Sequence, residues 1–210
     1  MTHSLHRQGT PENLQNDYVV LAMSAKGYNE VGSAAKMREF LRIVRQHGPV
    51  NIGDIKTGNW FQIEPERIEA NVQDTSIVHA VFTDIDTVAA VLKELQEADL
   101  GLSVVVSGLL EPVRETCRRL GMTPAPHTVE HSLGVWGKRE LLPKKEVLEV
   151  STMCGHGMVA FGLIEEAVAD VKAGRSSPEK AARRLAEPCV CGIFNPVRAA
   201  ELLRKMADQR

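Results

Sequence analysis

Four side chains able to bind a metal fall in two short turns near the end of the chain: Cys154-Gly-His156-Gly and, 189 − 156 = 33 positions after His156, Cys189-Val-Cys191-Gly. Three thiols and an imidazole suit a tetrahedral zinc site, which takes Cys and His ligands in this proportion. Three thiolates equally suit an iron-sulfur cluster with one iron left open. Spacing does not choose between the two, because C-x-H and C-x-C are not the usual C-x2-C knuckles and a lone C-x-H is not a Rieske pair. The expected cofactor is therefore zinc or an iron-sulfur cluster held by Cys154, Cys189 and Cys191. His156 either completes the metal's shell or stands beside an open position as general acid or base. Two other readings compete. The cysteines pack as small buried hydrophobes at helix starts, or Cys154 acts without metal as a nucleophile activated by His156, which leaves the C-x-C pair unexplained.

These residues need elements that bring the turns together. Both turns are expected just ahead of helices, whose N-terminal dipoles favour thiolate over thiol. A helix over 157–173, closed by Gly174, travels ~25 Å outward at 1.5 Å per residue. A shorter one opened by Ser177 and Pro178 brings back ~13 Å, and the extended residues after it add up to ~10 Å. The two turns then lie side by side. Asn195 and Pro196 open the last helix as N-cap and first helical residue. Ahead of this part, 141–151 (LLPKKEVLEVS) reads as a charged bridge ending in a short strand. No internal repeat or low-complexity segment stands out.

The preceding chain reads as a sheet with helices. Residues 17–23 (DYVVLAM) form an apolar run too short for a helix and β-branched in the middle, hence a buried strand. Ser33 is placed as N-cap of a helix to 47 with Met37, Phe40, Leu41 and Val44 on one face, ended by Gly48 and Pro49. Residues 50–74 give only weak strands. TSIVHAVFT, a helix capped by Asp84, and LSVVVSG then make one βαβ unit, a crossover that normally leaves its strands parallel. A helix over 109–120 follows. In 123–137 two prolines exclude a helical start, and Val129, His131, Leu133 and Val135 alternate as on one face of a strand. The fold class is α/β: a βαβ-containing sheet layer with helices, followed by a helical C-terminal part carrying the Cys/His site. The divisions are a polar N-terminal arm over 1–16, an α/β domain over 17–140 and a helical subdomain over 141–210.

Weaker signals lie outside the turns. The loop over 27–33 (GYNEVGS) has the glycine spacing of a phosphate loop but no lysine within it. Amides at that helix start, with Lys26 nearby, would hold a small anion; the plainer reading is a connection capped by Ser33. His79 and His131 fall within strands, where a backbone-satisfied core histidine is the common outcome, and His131 is the second candidate acid or base. His3 and His6 belong to an arm too polar to pack alone, solvated or folded over the site. Cys117, amid RETCRR, reads as a semi-buried helix residue.

Composition limits the function. Of 210 residues 43% are hydrophobic, 25% charged and 4% aromatic, and 25 Lys+Arg against 27 Asp+Glu give a net charge of −2. That is a globular composition without the basic excess that nucleic acid requires. No run reaches the ~18 apolar residues of a membrane span. The polar first residues lack the apolar centre of a secretory signal, so a cytoplasmic location with reduced thiols is expected. The expectation is a small-molecule enzyme, a lyase or hydrolase using the centre as Lewis acid on an anionic ligand. The alternative is a non-catalytic protein whose metal staples the tail, or which senses redox state.

Overall fold

The computed structural model describes residues 7–126, 128–129 and 134–209. His3, His6, His131 and the centre of the strand expected around it lie outside the described residues; Val129 and Val135, at its flanks, are in irregular chain. The first part of the fold comprises α1 (Pro11–Leu14), β1 (Tyr18–Met23), α2 (Ser33–Gln46), β2 (Asn51–Asp54), β3 (Gly58–Asn59), α3 (Pro65–Asn71), β4 (Ile77–Phe82), α4 (Ile85–Ala98), β5 (Ser103–Ser107) and α5 (Leu110–Arg119). The second comprises α6 (Lys145–Ser151), α7 (Phe161–Lys172), α8 (Pro178–Ala186) and α9 (Pro196–Asp208). The architecture is α/β with a helical C-terminal part, its five-stranded sheet antiparallel throughout in the order β3-β2-β4-β1-β5.

The strands of the expected βαβ unit, β4 and β5, run parallel, since both oppose β1. They are not neighbours, because β1 lies between them and hydrogen-bonds to both. The crossover from β1 through α2 to β2 is split in the same way by β4. Two interleaved split crossovers leave every adjacent pair antiparallel.

Side chains alternate across the sheet. Val20, Ala22, Ile52, Val78, Ala80 and Phe82 face α2 and α4 and form one core with Met37, Phe40, Val88 and Val91. Val19 and Val81 face the other way, into a core built with Val147, Ile164, Leu185, Phe194 and Leu203 from the C-terminal helices. The sheet is thus filled from both sides.

Several expectations are corrected. Residues 50–74 hold two short strands and also α3, started by Pro65 in its first turn. The strand expected at the end of 141–151 is α6, whose Val147, Val150 and Ser151 are buried at spacings of three and four on one helix face. α7 starts at Phe161, not Gly157, because Gly157 has a left-handed φ of 67° and Ala160 is extended. Ser33 does not cap α2: Gly32 holds that position, and the Asp74 carboxylate accepts hydrogen bonds from the Gly32 and Ala34 amides at 2.9 and 2.8 Å. The amides proposed for an external anion are therefore bonded to the chain's own carboxylate. Within the N-terminal arm, residues 7–16 contact the C-terminal layer: Gln8 donates its amide to Thr152 at 3.0 Å, and Asn13 donates to Glu149 at 3.2 Å.

Candidate metal centre

The C-terminal layer contains a repeat that the sequence reading missed. Ser151 and Ala186 end α6 and α8, 186 − 151 = 35 residues apart; Phe161 and Pro196 start α7 and α9, 196 − 161 = 35 apart. Between them Cys154, His156 and Gly157 correspond to Cys189, Cys191 and Gly192 at the same offset. In each turn the glycine amide donates to the cysteine carbonyl three residues earlier at 2.9 Å, and each glycine is left-handed, with φ of 67° and 75°. Glycine adopts that backbone without steric cost. Few side chains match between the copies, which is why the periodicity is faint in the sequence.

Equivalent positions of the two turns meet. Cys154 and Cys189 interact through their thiols; Cys191 Sγ lies 4.0 Å from Cys189 Sγ and 3.6 Å from His156 Nδ1. The structure therefore brings together the four residues singled out from spacing. Cys154, Cys189 and Cys191 are 2%, 0% and 1% exposed, whereas His156 and both its glycine neighbours are exposed. All the cysteines are free thiols. Among the described residues no three His, Cys, Asp or Glu side chains are already arranged around one ion position; the four form a linked series of contacts.

The thiols compete for one negative charge. Cys191 is lowered, first by its hydrogen bond from Cys189, then against burial by the Ile193 amide and the Arg7 guanidinium. Cys154 is raised well above the ordinary range by Cys189 and by burial, although the Met158 and His156 amides oppose this. Cys189 is lowered by Cys154 but, through Cys191 and burial, ends pushed up to about 12. The helix dipoles invoked from sequence do not supply the stabilisation, since both turns follow a helix and the next helix starts several residues later; turn amides do so instead. A divalent cation would remove the mutual repulsion, because a coordinating thiol is deprotonated outright.

The second turn lies directly on the sheet. A Cβ at Gly53 would come within 2.7 Å of the Cys191 carbonyl oxygen, and one at Gly192 within 2.5 Å of the Ile52 carbonyl carbon. Asn51 donates to the Phe194 carbonyl at 2.9 Å, and Asn59 to the Glu187 and Cys189 carbonyls at 3.1 and 2.9 Å. His79, fully buried, pairs with Gly53 in the register and so shares this face. Asn195 caps α9 by accepting from the Arg198 amide at 3.0 Å while donating to Asp17 at 3.1 Å. Buried Asn51, Asn59, Asp17 and Arg198, with Arg7, are site-supporting residues not identified from the sequence. A polar residue opening an apolar run, as Asp17 does ahead of Tyr18–Met23, was the available signal; nothing marked Arg7.

Cys117 is half-buried on α5 and lines a cavity of about 540 Å³ with Leu95, Val106 and Val113. A second, of about 500 Å³, lies between Trp60, Phe61, Arg183 and Val197. Neither is lined by any of the four clustered residues. No helix among the described residues is long and apolar enough to cross a membrane. Comparison with family models, with curated proteins and with solved structures finds no match to this chain.

Proposed function

We propose that the chain is a metal-binding protein in which Cys154, His156, Cys189 and Cys191 hold one tetrahedral ion of the zinc class, and that this ion pins the C-terminal helices to the sheet. Contact distance carries the reading. Zn–S and Zn–N bonds of ~2.3 and ~2.0–2.1 Å in a tetrahedron separate two sulfurs by ~3.8 Å and a sulfur from a nitrogen by ~3.6 Å. The observed separations are 4.0 Å and 3.6 Å. Thiolates on different irons of a cluster stand farther apart, because a cluster edge lies between them. Closing the shell requires Cys154 and His156 to swing toward a common centre, and the glycines around His156 permit that. Burial of all three cysteines, away from the two cavities described above, favours a structural ion over an open catalytic one.

A second reading rests on His156, the exposed member of the group. Its displacement would open one coordination position, the requirement for a lyase or hydrolase using the ion as Lewis acid. His156→Ala separates the two. For the structural ion, zinc content and melting temperature both fall, because ligation and folding are linked. For an acid or base beside an open ion, both persist while activity drops by roughly 10²–10⁴. The structural reading predicts the first result, and the second would overturn it.

A further inference from the structure

We propose that Arg7 is a positioning residue of this centre, tying the two cysteine turns together and fixing a positive charge beside their sulfurs. The proposal rests on the metal reading above. Arg7 donates to the Met153 carbonyl at 3.4 Å, to the Ile193 carbonyl and to the Asp17 carboxylate. Met153 immediately precedes Cys154, and Ile193 follows Cys191 by 193 − 191 = 2 residues, so a single guanidinium spans both ligand-bearing turns. Its side chain is 7% exposed and that of Asp17 is 0% exposed, which makes the contact interior rather than a surface ion pair.

Charge balance explains the need for a cation there. Three thiolates, a neutral imidazole and a divalent ion sum to −3 + 2 = −1, a charge that is costly to bury alone. Arg7 and Arg198 share Asp17, for 2 − 1 = +1. Nearby Glu149 is set against Lys145 at 3.9 Å and leaves that sum unchanged. The buried triad and the loaded centre are therefore complementary. Lysine would supply the charge without the planar fork that reaches several acceptors at once.

The test uses the full chain with Arg7→Met and Arg7→Lys. Zinc affinity is measured by competition with a chromophoric chelator, and the absorption bands of the cobalt(II)-loaded protein report ligand geometry; far-UV circular dichroism monitors folding. Arg7→Met should bind zinc about 10–100-fold more weakly, the usual effect of losing an outer-shell partner, with altered cobalt bands. Arg7→Lys should recover only part of both. Affinity within about twofold of wild type and an unchanged cobalt spectrum would overturn the proposal, since a residue that only anchored the N-terminal segment would leave the bands in place. If Arg7→Met does not fold, Arg7→Lys decides on the same two readouts: a weaker affinity with shifted bands supports the proposal, and wild-type values overturn it. A wild-type chain binding neither zinc nor cobalt would defeat the metal reading first, and the role of Arg7 with it.

Discussion

Ile52 and Gly53 are neighbours in β2, yet they face two different kinds of interior. Ile52 packs among Val20, Ala80, Phe40 and Val91, where regular helices close an apolar face. Gly53 has no side chain, and the Cys191–Gly192 backbone occupies the space where one would be. Around it are buried His79 and the buried amides of Asn51 and Asn59, which donate to carbonyls at the end of α8 and in the chain that follows it. On the first face, amphipathic spacing suffices, because any apolar side chain of suitable volume serves. The second needs particular donors at particular carbonyls, because irregular turns bring unpaired backbone groups into the interior. Such a face is held by specific polar contacts, and in the proposed account by an ion as well.

The strongest way to break this contrast is to remove a proposed ligand. Cys189→Ser, or chelation of the wild type, should lower amide protection in α7 and α9 by orders of magnitude while α2 and α4 keep theirs, since ion binding and folding of that layer are coupled. Equal loss on both faces, followed by hydrogen exchange, would mean that the sheet and all its helices open as one unit. Phe40→Ala probes the other side: a fully buried ring lost from an apolar core should cost about 3–5 kcal/mol. Denaturant titration should return the same cost with and without zinc.

Asn59→Ala should cost about 1–2 kcal/mol by removing the hydrogen bonds that its amide donates to the Glu187 and Cys189 carbonyls, the latter keeping its bond from the Gly192 amide. Its effect should be non-additive with Cys189→Ser, because both changes act on one turn; additive losses in a double-mutant cycle would separate the asparagine from the centre. The smallest effect is expected at Asp74. The Ala34 and then the Gly32 amide hold its carboxyl below the ordinary 3.8, so the stability it adds is present above pH 3.8 and disappears as pH falls through the lower folded value. The gap in melting temperature between wild type and Asp74→Ala should close on acidification below that point, and a constant gap would show that the carboxylate charge is immaterial.

The two faces also differ in how far they were legible. α2 and α4 are evident from Met37, Phe40, Leu41 and Val44 and from Val88, Val91, Leu92 and Leu95, because burial against a sheet imposes a helical period. Strand neighbours are not, since periodicity reports what an element is and not which element lies beside it; hence β1 between β4 and β5. The approach of the two cysteine turns followed from helix lengths: α8 and α9 open at Ser177–Pro178 and Asn195–Pro196 as expected, and only α7 starts later, at Phe161. Asp74 could not be found as the cap of α2: it lies 40 residues from Ala34, and Ser33 is a more obvious local cap. Arg7 was hidden for the same reason, its acceptors at Met153 and Ile193 being 146 and 186 residues away.

In the proposed centre, two repeated turns present four donors to a single ion. X-ray absorption on anaerobically purified protein, with metal and sulfide analysis of the same sample, tests it most directly. The expected result is one zinc per chain with three sulfurs at ~2.3 Å and one nitrogen at ~2.0–2.1 Å. Iron with acid-labile sulfide, or a metal-free protein with every thiol titratable, would contradict it.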